Sequence, residues 1–520
     1  MLAPKGSGSA TAPIRLGAWG TGPLPVIQAG KEDEAALKLF NQEYWTIEDL
    51  EFSGGRPHGV FVSGAKGVLH GIHIKDIVVH NVSGDPKTKE DGLVVIASGT
   101  KQQHFDDVRI DGVTAYGTSE WAGILVAGVA HGYQPETSRN TNVVIRNSIV
   151  HDVTGDGIVL FETNNGRIEN SIVWRTGMQG KETIGTPNAI WTWMCRNCTV
   201  RHNEAFLTDS PGVDGGAFDI DYGDDDNIVE GNYGHDTQGY CVAVFGAGWV
   251  TGNSIVRNNI CAANGLSPRL ARRQGAIYLA TWNGGKIRGL DLSGNQIFWD
   301  PPLAAPAVVN IADLEGKGIF ERNTIRSASP WIIRSNSSLL FDRNSYEYCG
   351  RGKTEWLYRN ATWHGFREYQ QHSGQDAHSR STHVAEQTAP SSNIQKWSLI
   401  AVVSASAEAH DSRGEVAMME SVHAQFPEIQ VKIVVDDQSI PDKNDRVNLR
   451  YDWNAGDIPV LFDDEQELHD LPVSRIPALL LVNLSGKPIW KHEGFTAPGK
   501  LGLLLRSFVT PEYAEMPSAQ

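Results

Sequence analysis

TVRHNEAF, Thr199–Phe206, returns as IVEGNYG, Ile228–Gly234, and again as IVRNNIC, Ile255–Cys261. The same unit stands earlier as VIRNSIV, Val144–Val150, and RIENSIV, Arg167–Val173, and later as LSGNQIF, FERNTIR and FDRNSYE. Its recurring asparagines are Asn147, Asn170, Asn203, Asn232, Asn259, Asn295, Asn323 and Asn344, spaced 21 to 36 residues apart. Self-similarity on that scale marks a stacked repeat, in which each unit buries its apolar face only against its neighbours. The apolar residues alternate and are rich in Val, Ile and Thr, with Gly, Asn and Asp between them, so the unit is made of short strands. A variable interval fits a coil with one loop of variable length per turn. Asn suits the tight corner, because it tolerates the left-handed backbone and its amide can bond the same amide one turn away.

These residues resemble the right-handed parallel β-helix of the pectin-lyase-like superfamily, over about Ala12 to Gly350. The resemblance implies a mainly β fold of about ten or eleven rungs and a carbohydrate-active protein, extracellular or periplasmic. Domain boundaries follow at 1–350 for the β-helix, 351–395 for a closing segment and linker, and 396–512 for a second domain. The segment Thr362–Ser379 is similar to the piece that closes such a coil, and Gln371–Gln395, polar and rich in Ser and His, reads as linker. Met1–Ala12 has no apolar core of a signal peptide. Because Ala12–Ile27 is similar to the second half of a first rung, the resemblance implies an export signal and an end cap upstream.

The formal charge of −16 over 520 residues argues against nucleic acid or an anionic membrane as partner. No apolar run approaches the roughly 18 residues that span a bilayer. All five cysteines lie at or before Cys349. Cys195 and Cys198 form a CxxC with no second pair at zinc spacing, which leaves packed thiols or a local bridge.

Each rung offers a strand that begins on a small residue, among them GVFVS from Gly59, GLVVI from Gly92, GIVLF from Gly157, AIWTW from Ala189 and AFDID from Ala217. Alternation sends Leu93, Ile158, Ile190, Phe218 and Ile220 inward and Val94, Ile96, Phe161, Trp191, Trp193, Asp219, Asp221, Phe245 and Tyr278 outward. The tryptophans then stand one rung from Asp219 and Asp221, facing water. Aromatic faces beside carboxylates suit a sugar ring. Asp219 and Asp221 are the expected catalytic pair for glycosidic bond hydrolysis, with Glu162 and His235 as further catalytic candidates. Trp191, Trp193, Phe161, Phe245, Tyr278 and Asp214 are the expected substrate contacts. The partner is a polysaccharide or oligosaccharide.

No cofactor is required, with calcium as an alternative, because Asp219, Asp221, Asp224, Asp225 and Asp226 crowd one segment. DGGAFDID, Asp214–Asp221, is similar to the acidic strand of some β-helix pectate lyases. Those enzymes also need a basic residue near the metal, whereas the aligned outward positions of the next rung are Ala243 and Phe245, and the nearest bases expected are Arg269, Arg272 and Arg273 in a loop and Lys286 after Trp282. Hydrolysis therefore ranks above calcium-dependent elimination, with a non-catalytic sugar-binding or scaffold protein as the remaining class.

From Lys396 the pattern becomes α/β, with a helix over about Arg413–Phe426 and another near Pro498–Phe508. Ile476-Pro477 before a strand and NLSGKPIWKHEGF, Asn483–Phe495, resemble a thioredoxin-like domain. Without a cysteine it has no disulfide exchange to offer, so the resemblance implies a redox-inactive module that packs on the β-helix or binds.

Overall fold

The computed structural model describes residues 1–20, 24–85, 88–129, 139–177, 185–383, 397–405, 429–436, 458–462, 471–494 and 500–509, with single residues between. It falls into two compact units, Met1–Leu16 with Val26–Gln387, and Thr388–Gln520 with Gly17–Pro25.

The first unit is a coil whose turns each add a strand to three long sheets of 14, 13 and 13 strands. Pairing along the sheets is parallel until Ala361–His364 folds back antiparallel on Glu355–Tyr358. Because the pairing is in register, like positions form columns. On the third sheet one column runs Leu37, Val60, Val94, Ile124, Ile158, Ile190, Phe218, Val242, Ile277, Val308, Ile333 and Trp356. All twelve belong to one buried core. Tyr369, on the helix Phe366–Ser373, stacks on Trp356 with ring centroids 4.7 Å apart and ends that column.

Val94 and Ile96 lie inward, and Val95 is the outward residue, in place of the opposite assignment from sequence. The reason is register: Gly92 pairs with His58, so aligning Gly92 on Gly59 shifts the strand by one and exchanges its faces. Twelve strands follow one another along the first sheet, more than the ten or eleven turns expected.

The asparagines do two separate jobs one residue apart. Asn147, Asn170 and Asn258 hold the left-handed corner (φ 51°, 52° and 55°), as do His202, Gly231, Gly294, Arg322 and Arg343 at the same point of other turns. The ladder is formed by the residue that follows: Ser148, Ser171, Asn203, Asn232, Asn259, Asn295, Asn323 and Asn344, all buried. Each side-chain amide from Asn203 to Asn323 donates to the next at 3.0–3.3 Å, and each acceptor oxygen also takes the neighbour's backbone N–H at 2.9–3.0 Å. The ladder ends on buried Asp376, which takes Asn344 Nδ2 and the hydroxyls of Tyr346 and Tyr369. Thus residues 371–383 are not linker: they carry Asp376 and a last strand, Arg380–His383, paired with Ser345–Tyr348.

Cys241 and Cys261 form a disulfide within one turn. Cys195 and Cys198 are buried free thiols.

The second unit holds a five-stranded sheet in the order Val460–Phe462, Ile429–Val435, Trp397–Val403, Ala478–Asn483, Pro488–Glu493. Trp397–Val403 is parallel to Ile429–Val435 and antiparallel to Ala478–Asn483. The Ile476-Pro477 bond is cis. A helix spans Lys500–Val509, and of the helix expected at Arg413–Phe426 the described residues Glu415, Val416, Met418, Met419, Val422 and His423 are helical.

The two asparagine roles predict opposite mutational outcomes. Asn259→Ala leaves the Asn232 amide and the Val229 carbonyl unpaired inside the coil and should cost about 3 kcal/mol or more in denaturant unfolding. Asn258→Gly, at the left-handed corner, should stay within about 0.5 kcal/mol of wild type.

Candidate active site

The outer face of the third sheet carries the expected residues in the expected order. Val159 pairs with Trp191 and Phe161 with Trp193; Trp191 pairs with Asp219, Asp219 with Ala243, and Ala243 with Tyr278. Phe218 and Ile220 point into the core, so Asp219 between them points out of the coil.

It does not face water. Asp219 is 2% exposed, and Phe161, Trp191 and Phe245 are 4–5% exposed. Apolar side chains of the preceding turns, including Val95, Leu125 and Val159, form a second cluster on this face with Phe161 and Trp191. Asp221, Trp193, Tyr222 and Tyr278 are half-buried, and Trp282 is exposed. Access to the face is therefore through Asp221 and this aromatic margin. Edge-to-face contacts link it: Phe161 to Trp193 at 5.3 Å, Trp193 to Tyr222 at 5.8 Å, Tyr222 to Trp282 at 6.1 Å, Trp282 to Phe245 at 5.5 Å and Phe245 to Tyr278 at 5.4 Å.

Around Asp219 the turns bring in groups that are remote in sequence. Asn188 Nδ2 donates to Asp219 Oδ2 at 3.3 Å, and the Tyr240 hydroxyl lies 3.5 Å from that oxygen and 2.9 Å from Asn188 Oδ1. Asp219 Oδ1 is buried without a hydrogen-bond partner. Burial pushes the Asp219 carboxyl well above the ordinary range, and the charges of Asp221, Asp214 and Asp224 add to it. Asp221 is likewise raised, by burial first, against the pull of the Tyr222 N–H that it accepts at 2.8 Å. Asp214, hydrogen-bonded by Thr186, is pushed up to about 6, again by burial. The cluster thus keeps protons that isolated aspartates lose.

Lys89 is the counter-charge. Its ammonium sits 3.5 Å from Asp156 and 4.5 Å from the centre of the Trp191 ring, and it lowers the proton affinity of Asp214, Asp219 and Asp221. It takes the place expected of Arg269, Arg272, Arg273 or Lys286. Lys89, 130 residues before Asp219, carries no local signal. Asn188, Tyr240, Tyr222 and Trp282 were also missed, since only the pairing register brings them to this face.

Two expected residues stand elsewhere. His235 lies on the second sheet, fully buried, where Glu204 and Asp236 occupy its two ring nitrogens at 3.0 and 2.7 Å. It belongs to a stacked column on that sheet, His80, Tyr116, His151, Trp174, Phe206 and His235. Glu162 holds a left-handed corner (φ 49°) past the end of its strand and lines a cavity of about 340 Å³.

The acidic segment does not gather into a cation site. Asp224 is buried and accepts Thr192 Oγ1 and the Cys195 N–H, both at 2.6 Å. Asp225 pairs along the first sheet with Arg196 and Gly252, and Asp226 is an exposed left-handed corner. Among the described residues no three His, Cys, Asp or Glu side chains converge as ion ligands. The donor set expected for calcium therefore does not fit, because the strand and its corner turn these side chains in different directions.

Solved structures similar to this chain include three whose names give an activity on glycans. A lacto-N-biosidase of family GH136 from Eubacterium ramulus is 19% identical, with 63% of this chain and 59% of that chain covered and a TM-score of 0.46. The pectate lyase Pel9A is 16% identical, with 51% and 62% covered and a TM-score of 0.31. The catalytic unit of a GH87 α-1,3-glucanase from Streptomyces thermodiastaticus is 13% identical, with 74% and 69% covered and a TM-score of 0.31. The chain spans less than two thirds of the length of the first two. No curated protein matches it. The family described as the right-handed β-helix region matches residues 31–297, more than half of the 520-residue chain. Given three parallel sheets wound in register and that match, the chain belongs to the right-handed β-helix family.

Proposed function

We propose that the first unit is a polysaccharide-active enzyme that hydrolyses glycosidic bonds at the outer face of the third sheet. The observation that carries this reading is the Asp219 carboxyl, 2% exposed, with an unpartnered Oδ1 and a raised proton affinity, next along the strand face to half-buried Asp221. A carboxylic acid held protonated at neutral pH can give its proton to a leaving glycosidic oxygen, while a second carboxylate serves as base or nucleophile. Asp219 takes the first role and Asp221 the second. Asn188 and Tyr240 hold Asp219 in place from one oxygen, and the other, buried, has no hydrogen-bond partner. Lys89 lowers the proton affinity of Asp214, Asp219 and Asp221, against the upward push of burial. The aromatic margin of Trp193, Tyr222, Tyr278 and Trp282 offers faces for the sugar ring's C–H groups.

The Cys241–Cys261 disulfide favours an oxidising compartment, in keeping with an extracellular or periplasmic enzyme. The second unit is proposed to be a thioredoxin-like domain. Its sheet order supports this, and a chain without cysteine beyond Cys349 leaves it a binding or packing role. The division 1–350, 351–395 and 396–512 is kept as a proposal, with 371–383 reassigned to the coil.

Two outcomes test the chemistry. On a panel of polysaccharides, wild type should release reducing ends, and Asp219→Asn and Asp221→Asn should each lower turnover by about a thousandfold or more with an unchanged melting temperature. Binding without turnover in the wild type would favour a sugar-binding protein instead. The pH profile gives the sign. Asp219 must be protonated to act and its pKa is raised, so the alkaline fall of activity should lie above the range of an ordinary carboxyl. A profile that already falls between pH 4 and 5 would show an ordinary carboxyl as the acid.

A further inference from the structure

Asp156 is 1% exposed and has no part in the chemistry above. It stands two residues before Ile158, and Asn188, Gly216 and Tyr240 stand two residues before Ile190, Phe218 and Val242, which pair one after another along the third sheet. The four residues therefore occupy one point of four successive turns, just ahead of the strands. At that point the two turns before carry Gly92 and Ala122, and the turn after carries Gly275. Asp156, Asn188 and Tyr240 thus form a buried polar run where the flanking turns have small residues, and they do so beside Asp219.

Each contact in this run fixes the next. Asp156 Oδ2 takes the Trp121 Nε1–H and lies 3.5 Å from the Lys89 ammonium, and Oδ1 takes the Asn188 backbone N–H at 2.9 Å. A carboxylate, which only accepts, suits three converging donors. Asn188 Oδ1 accepts the Gly216 N–H and the Tyr240 hydroxyl, both at 2.9 Å. A backbone N–H only donates, so this end of the side chain is the oxygen; the amide nitrogen at the other end faces Asp219 Oδ2 at 3.3 Å. Tyr240 reaches back across a turn because Gly216 has no side chain: a Cβ there would stand 2.0 Å from Tyr240 Cε2. Asp219 Oδ2 already faces a donor, which leaves Oδ1, buried and without a partner, to carry a proton.

We propose that Asp156 is a positioning residue for the Asp219 acid: it anchors the main chain of Asn188, whose amide keeps Asp219 Oδ2 an acceptor and the acid's proton on Oδ1. Lys89 and Trp121 hold Asp156, and Gly216 and Tyr240 hold the far end of the same amide. The assignment rests on the reading of Asp219 as the acid and adds what aims it. Aim matters to rate, since a misplacement of about 1 Å can cost about a hundredfold.

The test reads the carboxyl itself, apart from turnover. The infrared difference between wild type and Asp219→Asn at neutral pH isolates the C=O stretch of protonated Asp219. Asn188 donates to the oxygen of that C=O, so Asn188→Ala should move the band to higher frequency. Asp156→Ala should move it the same way, and the double variant should move it no further than Asn188→Ala does. Where Asp156→Ala does not fold, Asp156→Asn keeps the volume, leaves one acceptor oxygen for three donors and should give the same upward shift. A band that Asp156 substitution leaves unmoved shows a structural role alone, and one that it moves equally in wild type and in Asn188→Ala shows a through-space effect of charge; either overturns the proposal. In turnover, Asp156→Ala should lower kcat about tenfold or more in the wild-type background and less than about twofold in Asn188→Ala, with KM within about twofold in both. A wild type without turnover but with these band shifts removes the hydrolase reading and upholds the positioning. A wild type with no protonated Asp219 band removes both.

Discussion

In-register parallel pairing is the constraint on which the rest of this molecule depends. Strands in successive turns lie about 4.8 Å apart, and each residue stands directly over its counterpart in the next turn. A position that suits one turn must suit its neighbours, which is why apolar columns fill the interior and an amide column closes the corner beside them. The asparagine column is the strictest of these. Each amide serves the amide and the main chain of adjacent turns, so its members hold one another in register from Asn203 to Asn344. Asp376 then satisfies the last amide with an acceptor that is not asparagine.

The same constraint builds the candidate site. Trp191 and Asp219 are neighbours because their inward neighbours Ile190 and Phe218 are paired, and no separate interaction between indole and carboxyl is needed. Register also carries Asp214, Asp219 and Asp221 into a crowded, poorly hydrated region where burial raises the proton affinity of all three, the charge of Asp214 adds to it at Asp219 and Asp221, and that of Asp221 adds to it at Asp219. Such an arrangement works against stability, and folds tolerate local violations of this kind where chemistry or binding requires them. Glu162, two turns earlier, is a second violation of the same type, at a corner instead of on a strand face.

The fold was legible from the repeats because period-two alternation and a recurring corner are each short-range signals. Phe218 inward and Asp219 outward follow from alternation alone, and the structure has them so. The errors have one cause, a shift by a single residue or a contact across turns. Asn147 and Asn170 look like Asn203 by type but hold the position before it, and the ladder residues there are Ser148 and Ser171. Gly92 looks like Gly59 but pairs with His58, which exchanges the faces of Val94 and Val95. The surroundings of Asp219 come from the turns on either side of it, Asn188 and Trp191 before and Tyr240 and Ala243 after, and the arrival of Lys89 depends on a loop. Neither has a local signature. Residues 371–383 are polar because they cap a coil end, and composition alone does not distinguish a polar cap from a linker.

The most direct measurement is a crystal structure of Asp219→Asn soaked with an oligosaccharide that the wild type cleaves. The account predicts a glycosidic oxygen within hydrogen-bond reach of residue 219, with one adjacent ring against Trp193 or Tyr222 and Asp221 on the far side of the scissile bond. Sugar bound on another sheet, or a third-sheet face that stays closed while the ligand binds elsewhere, would contradict it.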